Sequence, residues 1–171
     1  MKKRLLFIAV PIFLILTGFI MDKKRDKIWF QKSTTINCNI KDIDKSLENL
    51  GNHYKQIMDK YPGMINVELI EAGEDFVTIK TNEGLMKRTN FSISKSEGKI
   101  LVEFDEEYIT SQLTTYSHFE ERFEGKNNEV ELNIKISNIV APGFLGFLLR
   151  NFGGNNIGKA FLNSYKQTFE K

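Results

Sequence analysis

The middle of the chain alternates between apolar and polar residues in a run of about six segments separated by turn-forming sequences. In one segment, for example, Ile65, Val67 and Leu69 alternate with Asn66 and Glu68. Such segments form β-strands, and connections this short force neighbouring strands to be antiparallel. A sheet with one apolar face and one polar face needs a cover over the apolar face. The pattern therefore predicts a curved antiparallel sheet packed against another element.

The C-terminal segment is the only long candidate for that cover. The residues Ala160, Phe161, Tyr165 and Phe169 lie at helical spacing and predict a long amphipathic helix that ends the chain. The glycines and asparagines at 153–156 interrupt the segment, so 144–152 is expected to be a separate short helix or a lid. Before the hairpins, the sequence predicts a strand over 33–40 and two short helices between Asp42 and Pro62.

The N-terminal segment from Leu5 to Met21 contains no charged residue. As a helix it would span about 26 Å, enough for a thin bilayer. The A-x-A pattern of a cleaved signal peptide is absent, so an uncleaved single-pass anchor is favoured over a signal segment. The expected organisation is a transmembrane or signal segment at 1–21, a charged connector at 22–32 and one domain at 33–171. We expect a cell-membrane protein with its domain outside the cytoplasm.

The charge of the predicted domain argues against nucleic acid as a partner. The whole chain has 24 basic and 22 acidic residues, but three of the basic residues precede the apolar N-terminal segment. From Asp22 onward the net charge is therefore about −1, and the pair Lys87–Arg88 is too small to form a basic patch. The expected partners are the membrane, through the N-terminal segment, and a hydrophobic small molecule or lipid.

Few residues are candidates for chemistry. Cys38 is the only cysteine, so no disulfide within the chain is possible, and it is expected to be a buried, inert side chain. His53 is predicted to be exposed at a corner between helices, and His118 to lie on the solvated face of a strand. The acidic pairs at 105–107 and 120–121 are predicted to be surface charge. No metal site, cofactor or catalytic residue is predicted, since phosphate-loop and hydrolase motifs are absent.

What remains is an apolar set on the inner faces of the strands and the final helix. It can be either packed core or the wall of a ligand cavity, and the sequence leaves both open. The candidate ligand-binding residues are Val67, Leu69, Val77, Ile79, Phe91, Ile93, Val102, Phe104, Phe161 and Tyr165.

The order of these elements resembles the START-like, polyketide-cyclase-type helix-grip superfamily, which includes the birch-pollen-allergen proteins. The resemblance covers 33–171 and lies in the layout, with two short helices that end at 61–65 and a final helix after 141–143. It implies an α+β fold in which a curved antiparallel sheet of about six to seven strands wraps around a long C-terminal helix.

The resemblance also implies an internal apolar cavity for lipids, sterols or polyketides. The predicted function is therefore membrane-tethered binding of a hydrophobic molecule without catalysis. Two alternatives stay open. One is a cyclase- or dehydratase-like enzyme, which requires a buried acid, base or histidine facing the cavity. The other is an envelope protein that binds another protein through 144–152 and has a solid core.

Overall fold

The fold is α+β and contains one seven-stranded antiparallel sheet with a long C-terminal helix. In the computed structural model, residues 27–170 are described. The strands are β1 (Ile28–Ile36), β2 (Glu68–Ala72), β3 (Phe76–Lys80), β4 (Gly84–Ser96), β5 (Lys99–Thr110), β6 (Thr114–Lys126) and β7 (Glu129–Val140). The helices are α1 (Ile40–Leu47), α2 (Leu50–Asp59), α3 (Gly143–Leu148) and α4 (Gly154–Phe169), and a π-helical turn (Leu149–Gly153) joins α3 to α4.

The strand order is β1-β7-β6-β5-β4-β3-β2, so six consecutive strands form a meander. The strand β1 closes one side by pairing with β7, with Ile36 opposite Val130. This order follows from the short hairpin turns, which place each strand beside the next. The predicted helix-grip fold is confirmed, with seven strands.

The helices α1 and α2 lie between β1 and β2. Helix α1 begins after Asn39, whose side-chain oxygen accepts a hydrogen bond from the backbone N–H of Lys41 at 2.9 Å. Its inner face buries Ile43 and Leu47 against the sheet. The helix starts two residues before the predicted Asp42, because Asn39 caps it.

The C-terminal helix is longer than predicted. The glycines at 153–154 do not end a helix, because the backbone stays helical through the π-turn. Gly158 lets α4 approach β1 closely, since a Cβ atom at this position would overlap the ring of Phe30. Segment 144–152 therefore contains the short helix α3 and the π-turn that continues into α4, and the three together form one helical arm. That this segment acts as a lid stays a prediction.

The first strand begins at Ile28, earlier than the predicted 33. As a result, Trp29 and Phe30 belong to the sheet and pack against the domain. Cys38 is buried, as predicted. Among residues 27–170 no helix is long and apolar enough to cross a membrane. The predicted membrane segment 1–21 lies outside the described residues.

Candidate ligand cavity and buried polar cluster

A cavity of about 290 Å³ lies between the sheet and the helical arm. Its volume is near the lower end of the range for small-molecule sites, and it exceeds the space of a few waters. The domain thus has a cavity of this size beside its packed apolar core, and the protein-interaction alternative stays a prediction. The lining residues come from β1, α2, the central strands and the helical arm: Trp29, Met58, Tyr61, Met64, Glu83, Met86, Glu106, Tyr108, Thr110, Leu113, Thr115, Ser117, Phe119, Ile139, Leu149, Ile157 and Phe161.

Most of this wall is apolar, and its polar groups are carboxylates and hydroxyls. Glu106 is almost fully buried, whereas Glu83 lies exposed in the turn between β3 and β4. The cavity therefore reaches the surface near Glu83 and has a buried acidic residue deeper in its wall. Hydroxyl groups come from Tyr61, just after α2, and from residues on β5 and β6, including Ser117 opposite Glu106 in the strand register.

Behind this wall, Arg88 is buried in an aromatic cage. Its side chain is 1% exposed, and its guanidinium carbon lies 4.4 Å from the ring centroid of Tyr54 and 4.8 Å from that of Phe104. The rings of Phe119 and Phe161 complete the cage at 5.7 and 5.5 Å. Because two of these rings also line the cavity, the cage and the cavity share a wall.

The charge of Arg88 is balanced by Glu106 on the neighbouring strand. The two residues are directly opposite in the β4–β5 register, and Arg88 Nε donates a hydrogen bond to Glu106 Oε2 at 2.9 Å. Arg88 Nη2 is 2.8 Å from the same oxygen, but neither Nη1 nor Nη2 has a hydrogen-bond partner among the described residues. Burial alone would lower the pKa of Arg88, but the combined attraction of Glu106, Tyr54, Glu121 and Tyr165 outweighs it and raises that pKa.

A second buried carboxyl, Glu121, lies in the centre of the polar cluster. Its Oε2 accepts hydrogen bonds from the hydroxyls of Tyr165 at 2.6 Å and Tyr54 at 2.9 Å. Burial raises the pKa of Glu121, although Arg88 and the two hydroxyls act in the opposite direction. Burial likewise raises the pKa of both tyrosines, so they remain hydrogen-bond donors.

His53 extends the cluster towards α1. Its Nδ1 is 2.9 Å from Ser46 Oγ, and its Nε2 is 3.4 Å from the hydroxyl of Tyr165. The histidine is fully buried, and burial together with the charge of Arg88 lowers its pKa to about 3. His53 is therefore neutral at physiological pH. The prediction that it is exposed was wrong.

The structure places the predicted ligand-binding residues in three groups. Phe161 is in the cavity wall. Buried core residues are Val77, Ile79, Val102, Phe104 and Tyr165, and residues packed around that core are Val67, Leu69, Phe91 and Ile93. Phe104 and Tyr165 contact the polar cluster, which lies next to the cavity. Ligand binding by these residues stays a prediction.

The residues that sequence reasoning missed are charged. Glu106 and Glu121 were expected on the surface, but 106 has the same parity as the inward-facing Val102 and Phe104, and 121 that of Phe119. Strand parity was therefore a usable signal for both. Arg88 gave no such signal, because a β-bulge at Asn90, with φ of +59°, reverses the parity within β4.

The outer face of the sheet carries a different group of side chains. As predicted, His118 lies there, with Nδ1 2.9 Å from Asp105 Oδ1. Ligand atoms of Glu103, His118 and Glu120 lie within 4.8 Å of one another. Glu120 already forms ion pairs with Arg122 and Lys135. We therefore explain this group as a surface ion-pair network.

Comparison with known proteins supports the fold alone. No protein-family model matches the chain, and no curated protein matches it. Among solved structures, a hypothetical protein from Helicobacter pylori matches with a TM-score of 0.57 and 12% identity, covering 86% of this chain and 90% of that one. A conserved protein from Geobacillus kaustophilus matches with a TM-score of 0.57 and 13% identity, over 80% of this chain and 91% of that one.

A human protein gives a similar result. The lipid transfer and protein localization domain of human StarD13 matches with a TM-score of 0.51 and 10% identity, over 82% of this chain and 76% of that one. At this level of identity the likeness concerns the fold and not the activity. The chain therefore has a START-like, helix-grip fold.

Proposed function

We propose that this domain binds a hydrophobic small molecule or lipid in the cavity between the sheet and the helical arm. The observation that carries the proposal is the cavity itself, whose wall is mainly apolar and includes Met58, Met86 and Phe161. Apolar enclosure of this kind favours ligands with a large hydrophobic surface. The structural neighbour from human StarD13, a lipid transfer domain by its name, supports the same interpretation.

We also propose that the N-terminal segment holds the domain at a membrane. The arm carries exposed apolar side chains, with Phe144 60% and Phe152 72% exposed. The start of the sheet is joined to this arm, because Trp29 Nε1 donates a hydrogen bond to the carbonyl oxygen of Arg150 at 3.0 Å. A membrane anchor at 1–21 would therefore bring the exposed apolar arm and the cavity close to the bilayer, from which a ligand can partition.

The test uses the full chain purified in detergent from its own host, followed by solvent extraction and mass spectrometry. We expect a small molecule to co-purify with the natural protein but not with Ser117→Leu, which fills the cavity. Thr114→Leu, on the same strand but outside the cavity lining, is the matched control. If the natural protein and both variants carry the same molecules, these molecules are bound by the membrane segment and the cavity is not a binding site.

A second candidate function is supported by the acid in the cavity wall. The enzyme alternative requires a buried acid, base or histidine facing the cavity, and Glu106 meets this requirement. We would incubate a lipid extract of the host with the natural protein and with Glu106→Gln, and compare the products by untargeted mass spectrometry. A compound converted by the natural protein alone would favour an enzyme, and identical extracts would favour a binding protein.

A further inference from the structure

The charge of the cavity wall restricts which charge the polar head group of a ligand can carry. The lining contains two carboxylates, Glu83 and Glu106, and five hydroxyl-bearing residues, and among the described residues that line it none is Lys, Arg or His. A negatively charged head group inside this wall would face carboxylates without a cation in contact. Like charges brought together in a partly buried site weaken binding.

The position of Glu106 also supplies a specific hydrogen-bond acceptor. Its Oε2 is occupied by Arg88, whereas its Oε1 accepts no hydrogen bond from residues 27–170. Oε1 is not among the buried side-chain atoms that lack a hydrogen bond, so it is accessible from the cavity that Glu106 lines. A ligand hydroxyl that reaches this oxygen would form a charge-assisted hydrogen bond.

Arg88 does not offset the repulsion between the cavity carboxylates and an anionic head group. It is 1% exposed, is not part of the cavity lining, and is separated from the cavity by the rings of Phe119 and Phe161. An anionic head group would have to displace these rings before it contacted the guanidinium. Nη1 has no hydrogen-bond partner among the described residues, and Nη2 has only its ion pair with Glu106. These two atoms therefore define the competing hypothesis, in which an anion enters the aromatic cage.

From these contacts we propose that the cavity selects an uncharged amphiphile with a hydroxyl group at its polar end, that Glu106 accepts the hydrogen bond of this hydroxyl, and that fatty acids and other anionic amphiphiles are excluded. This inference rests on the proposed ligand-binding function. The titration of the wall tyrosines agrees with it: burial raises the pKa of Tyr61 and Tyr108, and the carboxylates of Glu106 and Glu83 raise both further.

Trp29 provides the readout, since it is the only tryptophan of the chain and lines the cavity. The full chain in lipid nanodiscs is titrated with a bromine-labelled long-chain alcohol, and separately with the carboxylic acid and the amine of the same chain length. Bromine quenches tryptophan fluorescence on contact. Quenching that remains in Ser117→Leu comes from the bilayer and is subtracted.

We expect the alcohol to bind about tenfold or more tightly than the acid. The amine is expected to bind no more tightly than the alcohol, because its ammonium group loses its water in a mainly apolar wall and this cost offsets the attraction of the carboxylates. Glu106→Gln should remove the preference for the alcohol over the acid. Glu107→Gln, the next residue on the outer side of the same strand, should leave that preference unchanged.

Because Glu106→Gln leaves a buried cation and can fail to fold, Glu83→Gln gives an independent test at an exposed position. It should reduce the discrimination against the acid, whereas Glu97→Gln, in a distant hairpin turn, should not. The inference would be overturned if the natural protein bound the acid more tightly than the alcohol. It would also be overturned if neither Glu106→Gln nor Glu83→Gln changed the preference for the alcohol. If none of the three probes quenches beyond the Ser117→Leu level, the proposed ligand-binding function fails as well.

Discussion

Replacing Arg88 by methionine tests whether the buried polar cluster is a balanced ion pair. Methionine fills the aromatic cage but leaves Glu106 without its cation and Glu121 without the charge that stabilises its ionised form. Breaking a buried pair by removing one partner costs about 3–5 kcal/mol. The remaining carboxylate can instead take up a proton, and this sets an upper limit on the cost.

The limit depends on pH in a calculable way. A carboxyl group in the unfolded chain has a pKa of about 4.3, and each unit between this value and the pH of the experiment costs about 1.36 kcal/mol. Protonating one carboxylate thus costs about 4 kcal/mol at about pH 7 and about 1 kcal/mol at about pH 5. For a domain of this size we expect Arg88→Met to lower the melting temperature by about 8–16 °C at the higher pH and about 2–4 °C at the lower.

Thermal unfolding of the full chain in a mild detergent, followed by circular dichroism, measures both shifts. Lys87→Met is the control, because Lys87 is on the outer face, half-exposed, and 3.6 Å from Glu107; its effect should stay within about 0.5 kcal/mol. The double variant Arg88→Met/Glu106→Leu should regain most of the lost stability. An equal loss at both pH values, or a double variant less stable than the single one, would refute the ion-pair explanation.

Three further predictions concern other buried positions, and thermal unfolding measures each. His53 has a folded-state pKa of about 3, so the natural protein should lose about 2–3 kcal/mol between about pH 6.5 and 4.5, and His53→Gln should lose less. Glu121 has a raised pKa, so relative to Glu121→Gln the natural protein should lose stability as the pH rises above about 4.3; a parallel pH profile would contradict this. Gly158→Ala should cost about 1–3 kcal/mol because its methyl group meets Phe30, whereas Lys159→Ala, at an exposed position, should be neutral.

The sheet could be predicted from the sequence because its signals are local. Strand alternation in segments such as Val130–Ile136 and the hairpin turn at 125–128 lie within a few residues of each other, and they determine which strands pair. The signal for the final helix was equally local, because Phe161 and Tyr165 lie at helical spacing on its buried face. The resemblance in layout to helix-grip proteins further predicted that the sheet wraps around this final helix.

The polar cluster could not be predicted in the same way, because its members come from separate strands and helices. Arg88 and Glu106 are adjacent only through the β4–β5 register, and that register depends on the bulge at Asn90. His53 lies on the same helix face as the buried Ile57, but its partner Tyr165 is more than a hundred residues away. A charged residue in a strand is read as exposed unless its partner is already known.

The cavity depends on how side chains pack, and its energetic cost suggests why the fold retains it. A volume of about 290 Å³ lined mainly by apolar side chains leaves these side chains in contact with water when no ligand is bound, and this is unfavourable. Small residues in the wall, such as Ser117 and Thr115, preserve the space although larger apolar side chains would fill it. The rings that cage Arg88 include Phe119 and Phe161, so the ion pair fixes two side chains that would otherwise be free to collapse inward. A sequence that maintains both the space and its support is what the proposed binding function requires, since a ligand that binds only the folded domain would stabilise it.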